Sequence, residues 1–255
     1  MPVLQADTSA FYYTVAGRAT RCPPVVLLHG AGGSRLDWPA ALRRMPGAQV
    51  WTLDLPGHGR SPGAGRTTVA DYARDVQAFL DAAQIARAVV VGHSMGGAIA
   101  QQLALDYPER VAGLVLIVTG SRLPVEPSLP ERVLATPAAA IRWIVERAWH
   151  PATPAAQLAL ACERLGQTSP AVLSGDFLAC QAFDVRGREH QIGVPVLVIG
   201  AAGDRMVFPD FSLTLAERIP HAQLLIIEGA GHMVTLERPA EVARAIREWL
   251  GEQPW

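Results

Sequence analysis

The chain has 255 residues, half of them hydrophobic, which is enough to bury one full α/β core. Its formal net charge of −1 leaves no basic surface for nucleic acid or an anionic membrane. All 22 basic residues are arginine, which rules out Schiff-base chemistry on a lysine, and the absence of asparagine removes any N-glycosylation sequon.

Three cysteines, Cys22, Cys162 and Cys180, are widely spaced and odd in number. They predict reduced thiols in a cytoplasmic protein. Residues 1–20 carry no basic stretch followed by an apolar one, so no secretory leader is expected. The longest clean apolar run, residues 111–118, is too short to span a bilayer. No Cys/His spacing resembles a metal site, and neither a metal nor an organic cofactor is expected.

Residues 11–16 alternate well enough for an early strand. Pro23-Pro24 leads into Val25-Val26-Leu27-Leu28, a continuous apolar run that reads as a strand buried on both faces. It ends in the glycine-rich turn His29-Gly30-Ala31-Gly32-Gly33. A short helix is expected over 37–44 and a strand over 49–53. The loop Asp54-Leu55-Pro56-Gly57-His58-Gly59-Arg60-Ser61 closes that strand. Residues 69–83 place Val69, Tyr72, Val76, Phe79 and Leu80 at helical spacing, with Thr68 as N-cap.

Next comes Val89-Val90-Val91-Gly92-His93-Ser94-Met95-Gly96-Gly97, where a β-branched run stops at a glycine and a helix pattern follows at once. Strand, sharp turn and helix, with Ser94 at the apex of Gly-x-Ser-x-Gly, is the context of a nucleophile elbow. Gly59-Arg60-Ser61-Pro62-Gly63 has the same spacing. There, however, the residue after the serine is a proline, with no N–H to offer an oxyanion, and neither strand nor helix flanks it. Ser61 reads as a turn residue and Ser94 as the nucleophile.

The helix after Ser94 runs to about residue 107, and residues 111–118 form another buried strand. From 121 to 191 prolines punctuate helical stretches near 131–149, 154–165 and 170–183, which predicts an inserted helical cap. Alternation resumes with strand 194–199, helix 210–218, strand 223–227 and helix 240–250. The expectation is a mostly parallel sheet covered by helices on both faces, with a core of residues 1–120 and 192–255 and a cap of 121–191.

A nucleophilic serine needs a base, and the base an orienting acid. Asp204 follows strand 194–199 through Gly200-Ala201-Ala202-Gly203, and His232 follows strand 223–227 through Glu228-Gly229-Ala230-Gly231. Parallel strands place both loops on the rim that carries Ser94. Asp176, Asp184 and Asp210 compete less well for the acid, since none directly ends a strand beside that of His232. Among the other histidines, His29 and His93 read as shaping their turns and His221 lies at the wrong edge. His58 sits in a loop, and His150 and His190 in or near the cap. The backbone N–H groups of Ala31 and Met95 are the expected oxyanion donors. Trp38, Trp143, Val207 and Met233 are candidates to line the substrate pocket, and Arg122 to meet a substrate carboxylate.

The segments His29–Gly33, Asp54–Ser61 and Gly92–Gly97, with Gly203-Asp204-Arg205 and Gly229-Ala230-Gly231-His232, resemble the α/β-hydrolase superfamily, close to its lid-bearing esterase and lipase-like group. The resemblance covers essentially the whole chain except 121–191. It implies a serine carboxylesterase that works through an acyl-enzyme on small-molecule esters of small to medium acyl chains. A carbon–carbon bond hydrolase or lyase, a lactonase and a perhydrolase of the same superfamily stay open, as does a non-catalytic receptor on the hydrolase fold. The carbon–carbon branch commonly uses an asparagine near the oxyanion loop, and this chain has none.

Overall fold

A computed structural model describes residues 3–255; Met1 and Pro2, at the start of the expected 1–120 core segment, lie outside the described residues. β1 (Val3–Ala6) and β2 (Ser9–Ala16) form an antiparallel hairpin that turns at Asp7. β3 (Val25–Leu28) follows, then a 3-10 turn at Arg35–Asp37, α1 (Ala40–Arg43) and β4 (Val50–Asp54). The single helix expected over 37–44 is split because Trp38 precedes Pro39 and adopts extended backbone, as a residue before proline must. β1 escaped the sequence reading: it is a four-residue edge strand with exposed Val3 and no alternation.

α2 (Val69–Ala82) starts where Thr68 caps it, its hydroxyl accepting the Asp71 N–H at 3.1 Å. β5 (Ala88–His93), α3 (Met95–Asp106) and β6 (Val111–Ile117) complete the first half. Four helices then intervene before the sheet resumes: α4 (Leu129–Ala135), α5 (Pro137–Ala148), α6 (Ala155–Leu165) and α7 (Pro170–Ala182). The expected helix 131–149 is two helices, broken where Thr136 precedes Pro137 and leaves helical backbone. A backbone bridge between Arg122 and Asp184, with the Val185 N–H donating to Ser121 O at 2.8 Å, draws the two ends of this insertion together. β7 (Val196–Ala201), α8 (Pro209–Arg218), β8 (Gln223–Ile227), α9 (Val234–Glu237) and α10 (Pro239–Glu252) finish the chain.

The eight strands lie in the order β1-β2-β4-β3-β5-β6-β7-β8, parallel from β4 to β8. Strand alternation sends successive side chains to opposite faces. Val26, Leu28 and Val90 pack with Tyr72 and Phe79 of α2 and with Ile99 and Leu103 of α3. Val25, Leu27, Val89 and Val91 pack on the other face with Leu42 of α1 and Ile246 and Trp249 of α10. β3, β5 and β6 are fully buried, which is why they read as continuous apolar runs. Their carboxyl ends share one rim, where open α/β sheets bind ligands. The insertion has a small core of its own, with Leu129, Val133, Ile144, Leu173 and Phe177 packed together.

Candidate active site

The elbow is built from close backbone approach. Ser94 sits at φ 54° and ψ −116°, a conformation that non-glycine residues rarely hold and that surrounding structure must enforce. The Ser94 N–H donates to Ile117 O at 2.9 Å, and its carbonyl accepts from Gly97 and Ala98, so strand, turn and helix are locked together. A Cβ on Gly96 would lie 2.1 Å from Leu28 O, and one on Gly92 would lie 2.1 Å from Gly96 O. Only glycine lets α3 start this close to β3 and β5. Met95 is the first residue of α3, so its N–H has no carbonyl four residues back and faces the turn unpaired within the helix. Ser61 is committed elsewhere: its hydroxyl donates to Asp54 O and accepts the Tyr12 N–H, tying its loop to β2.

Asp204 is buried in the loop after β7. One carboxylate oxygen accepts the N–H groups of Met206 and Val207 at 2.8 and 3.0 Å. The other lies 2.7 Å from Nδ1 of His232, in the loop after β8. A carboxylate on Nδ1 fixes the proton there and leaves Nε2 as the basic nitrogen. His232 is held from behind: its carbonyl accepts the Nε2–H of His93 at 2.8 Å. Burial, and then the neighbouring His232, push the His93 imidazole down to about 4, so it stays a neutral donor. Glu237 in α9 accepts the N–H of Gly231 at 2.7 Å and that of His150 at 2.8 Å, joining the His232 loop to the end of α5. The sequence reading missed Glu237; its only signal was a glutamate five residues after the histidine.

After β3 the chain turns, with the Gly33 N–H donating to Gly30 O at 3.1 Å and Gly32 at φ 65°. His29 braces this turn. Its Nε2 accepts the Leu55 N–H at 3.0 Å, which leaves Nδ1–H to donate to Gly30 O at 2.8 Å. Burial, then His58, holds the His29 imidazole well below its usual range, which keeps that tautomer neutral. Gly32 meets the insertion. Its N–H donates to Asp176 of α7 at 2.7 Å, and its carbonyl accepts the Thr168 hydroxyl at 2.8 Å. Asp176 is fully buried and also receives His58 Nε2 at 2.7 Å and the Tyr72 hydroxyl at 2.6 Å. Next in the loop, Asp37 accepts the Ser34 N–H at 2.9 Å, and burial raises its carboxyl to about 6.

Ser94, His232 and Ala31 together line a cavity of about 280 Å³ between the sheet rim and the insertion. Its walls include Ile144 and Trp149 of the α5 segment, Leu160 and Ala161 of α6, and Met233. The same three residues border an adjoining cavity of about 380 Å³, lined also by Trp143, Val207, Arg122 and Arg147. Met233, Trp143 and Val207 thus stand where a substrate could meet them. Trp38 does not. It is 1% exposed in the core with Val25, Leu27 and Leu42, and its ring stands edge-on behind His93 at 6.5 Å. A large aromatic just after the glycine-rich turn reads as pocket lining, but Pro39 follows it and Trp38 packs into the core beneath the sheet. Of the rival acids, Asp184 is paired with Arg186 and Asp210 borders a separate cavity; Asp176 holds the turn. His190 and His221 are exposed. Among the described residues no group of His, Cys, Asp or Glu is arranged to hold a metal ion, and no helix is long and apolar enough to cross a membrane.

Residues 23–239 match the family model described as the alpha/beta hydrolase fold. The chain is an α/β hydrolase. Relatives of this hydrolase act on different bonds by name. A Variovorax paradoxus (strain S110) protein with the provisional name carbamate hydrolase RutD is 32% identical over 254 residues, covering 94% of this chain and 95% of the relative. A Pseudomonas putida 2-hydroxymuconate semialdehyde hydrolase is 30% identical, over 90% and 87% of the two chains. Among solved structures, a thermophilic esterase superposes with a TM-score of 0.85 at 29% identity, covering 98% of this chain and 97% of its own.

Proposed function

We propose that this α/β hydrolase cleaves carboxylic esters of small to medium acyl chains through an acyl-enzyme formed on Ser94. The observation that carries the reading is the 2.7 Å contact of His232 Nδ1 with buried Asp204, on the rim of the cavity that Ser94 also lines. With Nδ1 protonated toward Asp204, Nε2 takes the Ser94 proton as Oγ attacks the ester carbonyl. Asp204 stabilises the imidazolium that results. The N–H groups of Ala31 and Met95 receive the oxyanion of the tetrahedral intermediate, and each such donor contributes about 2.7–4 kcal/mol to lowering the barrier. His232 then gives its proton to the departing alcohol, and a water deprotonated by the same nitrogen releases the acid. The apolar cavity walls support an uncharged acyl chain. Residues 121–191 act in this reading as the cap that encloses it.

The test is hydrolysis of p-nitrophenyl esters from acetate through palmitate by wild type and Ser94→Ala, with fluorophosphonate labelling in parallel. A rate peak at short or medium chains, with both activity and labelling lost in Ser94→Ala, supports the proposal. Labelling at Ser94 without hydrolysis of any ester would redirect the machinery to lactones, carbamates or carbon–carbon bonds. A folded wild type that neither labels nor hydrolyses would leave a non-catalytic receptor.

A further inference from the structure

The Gly30–Gly33 turn belongs to the core, yet the two peptide groups that flank the Gly32 α-carbon are each held from the insertion. Gly32 N–H donates to Asp176 at 2.7 Å and Gly32 C=O accepts from Thr168 at 2.8 Å. The insertion also closes over the residue: a Cβ on Gly32 would lie 2.5 Å from a Leu173 methyl and 2.6 Å from a Leu165 methyl. The core holds the turn at Gly30, through the Gly33 N–H to Gly30 O bond and the His29 bond to the same carbonyl.

Asp176 is an expensive residue to bury. A carboxylate with no exposed surface is tolerated only when its oxygens are paired and hydrogen-bonded. Here three groups from three core segments satisfy it: Gly32 N–H, Tyr72 O–H and His58 Nε2. His58 Nδ1 lies 3.0 Å from Pro56 O, an acceptor, so both ring nitrogens face acceptors and the ring fits as the imidazolium. Burial opposes that charge, and the Asp176 carboxylate more than offsets it. Gly32 and Thr168 line the 280 Å³ cavity, whereas Asp176, His58 and Tyr72 do not, so the carboxylate end of the network stands outside it.

We infer that the insertion completes the oxyanion hole, with Asp176 and Thr168 as positioning residues that clamp the Ala31–Gly32 and Gly32–Gly33 peptides and so help to fix the adjacent Ala31 N–H. This rests on the ester-hydrolase reading for the role of Ala31. Lifting the insertion from the core removes both bonds at Gly32 together and leaves the Ala31 peptide held only by the core bonds to Gly30 O, so the N–H is fully aligned for a tetrahedral oxyanion while α7 is seated.

The experiment compares Asp176→Ala, Asp176→Asn and Thr168→Val with wild type, each normalised by fluorophosphonate titration of Ser94. Per titrated site, Asp176→Ala lowers kcat by about 10–100-fold, less than outright loss of a donor. KM changes less than twofold. The affinity of an alkyl trifluoromethyl ketone, whose Ser94 adduct places an oxyanion in the hole, falls in parallel with kcat/KM. Thr168→Val shifts both in the same direction by a smaller factor, and being at a half-buried site it keeps the test alive if Asp176→Ala fails to fold. Asp176→Asn recovers part of the loss, because its amide oxygen still accepts the Gly32 N–H. Unchanged kcat per site in Asp176→Ala and Thr168→Val overturns the inference, as does a rise in KM with unaltered ketone affinity. If wild type labels but cleaves no ester, the ester reading fails, and a slower labelling rate in the two variants still upholds the clamp. Absence of labelling in folded wild type overturns both.

Discussion

Gly96→Ala is the sharpest test of how the elbow is built. The added methyl would stand 2.1 Å from Leu28 O and 2.7 Å from His29 O, both backbone atoms that cannot rotate away. Ordinary carbon–oxygen contact needs roughly 3.3 Å or more, so α3 and the end of β3 must part by about 1 Å. Overpacking of this kind costs about 1–3 kcal/mol. At about 2–4 °C per kcal/mol for a chain of this size, Tm should fall by about 2–12 °C. The same displacement separates Ser94 and Met95, at the start of α3, from Gly30 and Ala31, which continue β3. A misplacement of about 1 Å at reacting groups costs on the order of 100-fold in rate. The assay is urea unfolding together with kcat/KM on the best p-nitrophenyl ester, normalised by active-site titration. Activity should fall much further than stability. A variant with wild-type stability and wild-type kcat/KM would refute the claim that close β3–α3 approach sets the distance between Ser94 and the turn at Gly30 and Ala31.

Asp204→Asn should keep the fold and lower kcat by up to about 10⁴-fold, since an amide can hold His232 in the wrong tautomer; steady-state kinetics on titrated enzyme reads this directly. Asp37 gives a pH signature. Its folded carboxyl titrates at about 6 against an ordinary 3.8, so between those values the native state binds more protons and stability falls as pH rises through the window. Asp37→Asn should therefore gain on wild type in urea midpoint from pH 4 to pH 6 and run parallel to it above; a constant offset would count against the reading. Trp38→Phe removes a buried indole N–H that has no hydrogen-bond partner. It should leave the ester chain-length profile unchanged and shift stability by less than about 1.5 kcal/mol; an altered profile would return Trp38 to the pocket. Ala161→Trp places an indole in the cavity wall on α6. The rate peak should then move to shorter acyl chains with acetate hydrolysis spared.

What the sequence made legible follows from distance along the chain. Strand, glycine turn and helix around Ser94 occupy consecutive residues, so the spacing of Gly92, Ser94 and Gly96 already encodes the steric requirement that the structure displays. Asp204 and His232 each sit a few residues beyond a strand end, and parallel strands carry that placement to a shared rim. Trp38 was misplaced because composition cannot say which way a side chain leaves a proline-broken turn. Asp176 was weighed only as a rival acid. Its partners Gly32, His58 and Tyr72 lie 144, 118 and 104 positions away, on separate elements with no periodicity to relate them. The illegible part is therefore the polar scaffolding that ties the insertion to the core. In this chain the elbow is encoded locally, whereas the walls of the cavity beside Ser94 come in large part from the insertion, and one fold can host different substrates when such walls differ. Exchanging residues of α5 and α6 that face the cavity should then change the preferred substrate without touching Ser94, Asp204 or His232, whereas changing Asp176 should slow every substrate by a similar factor.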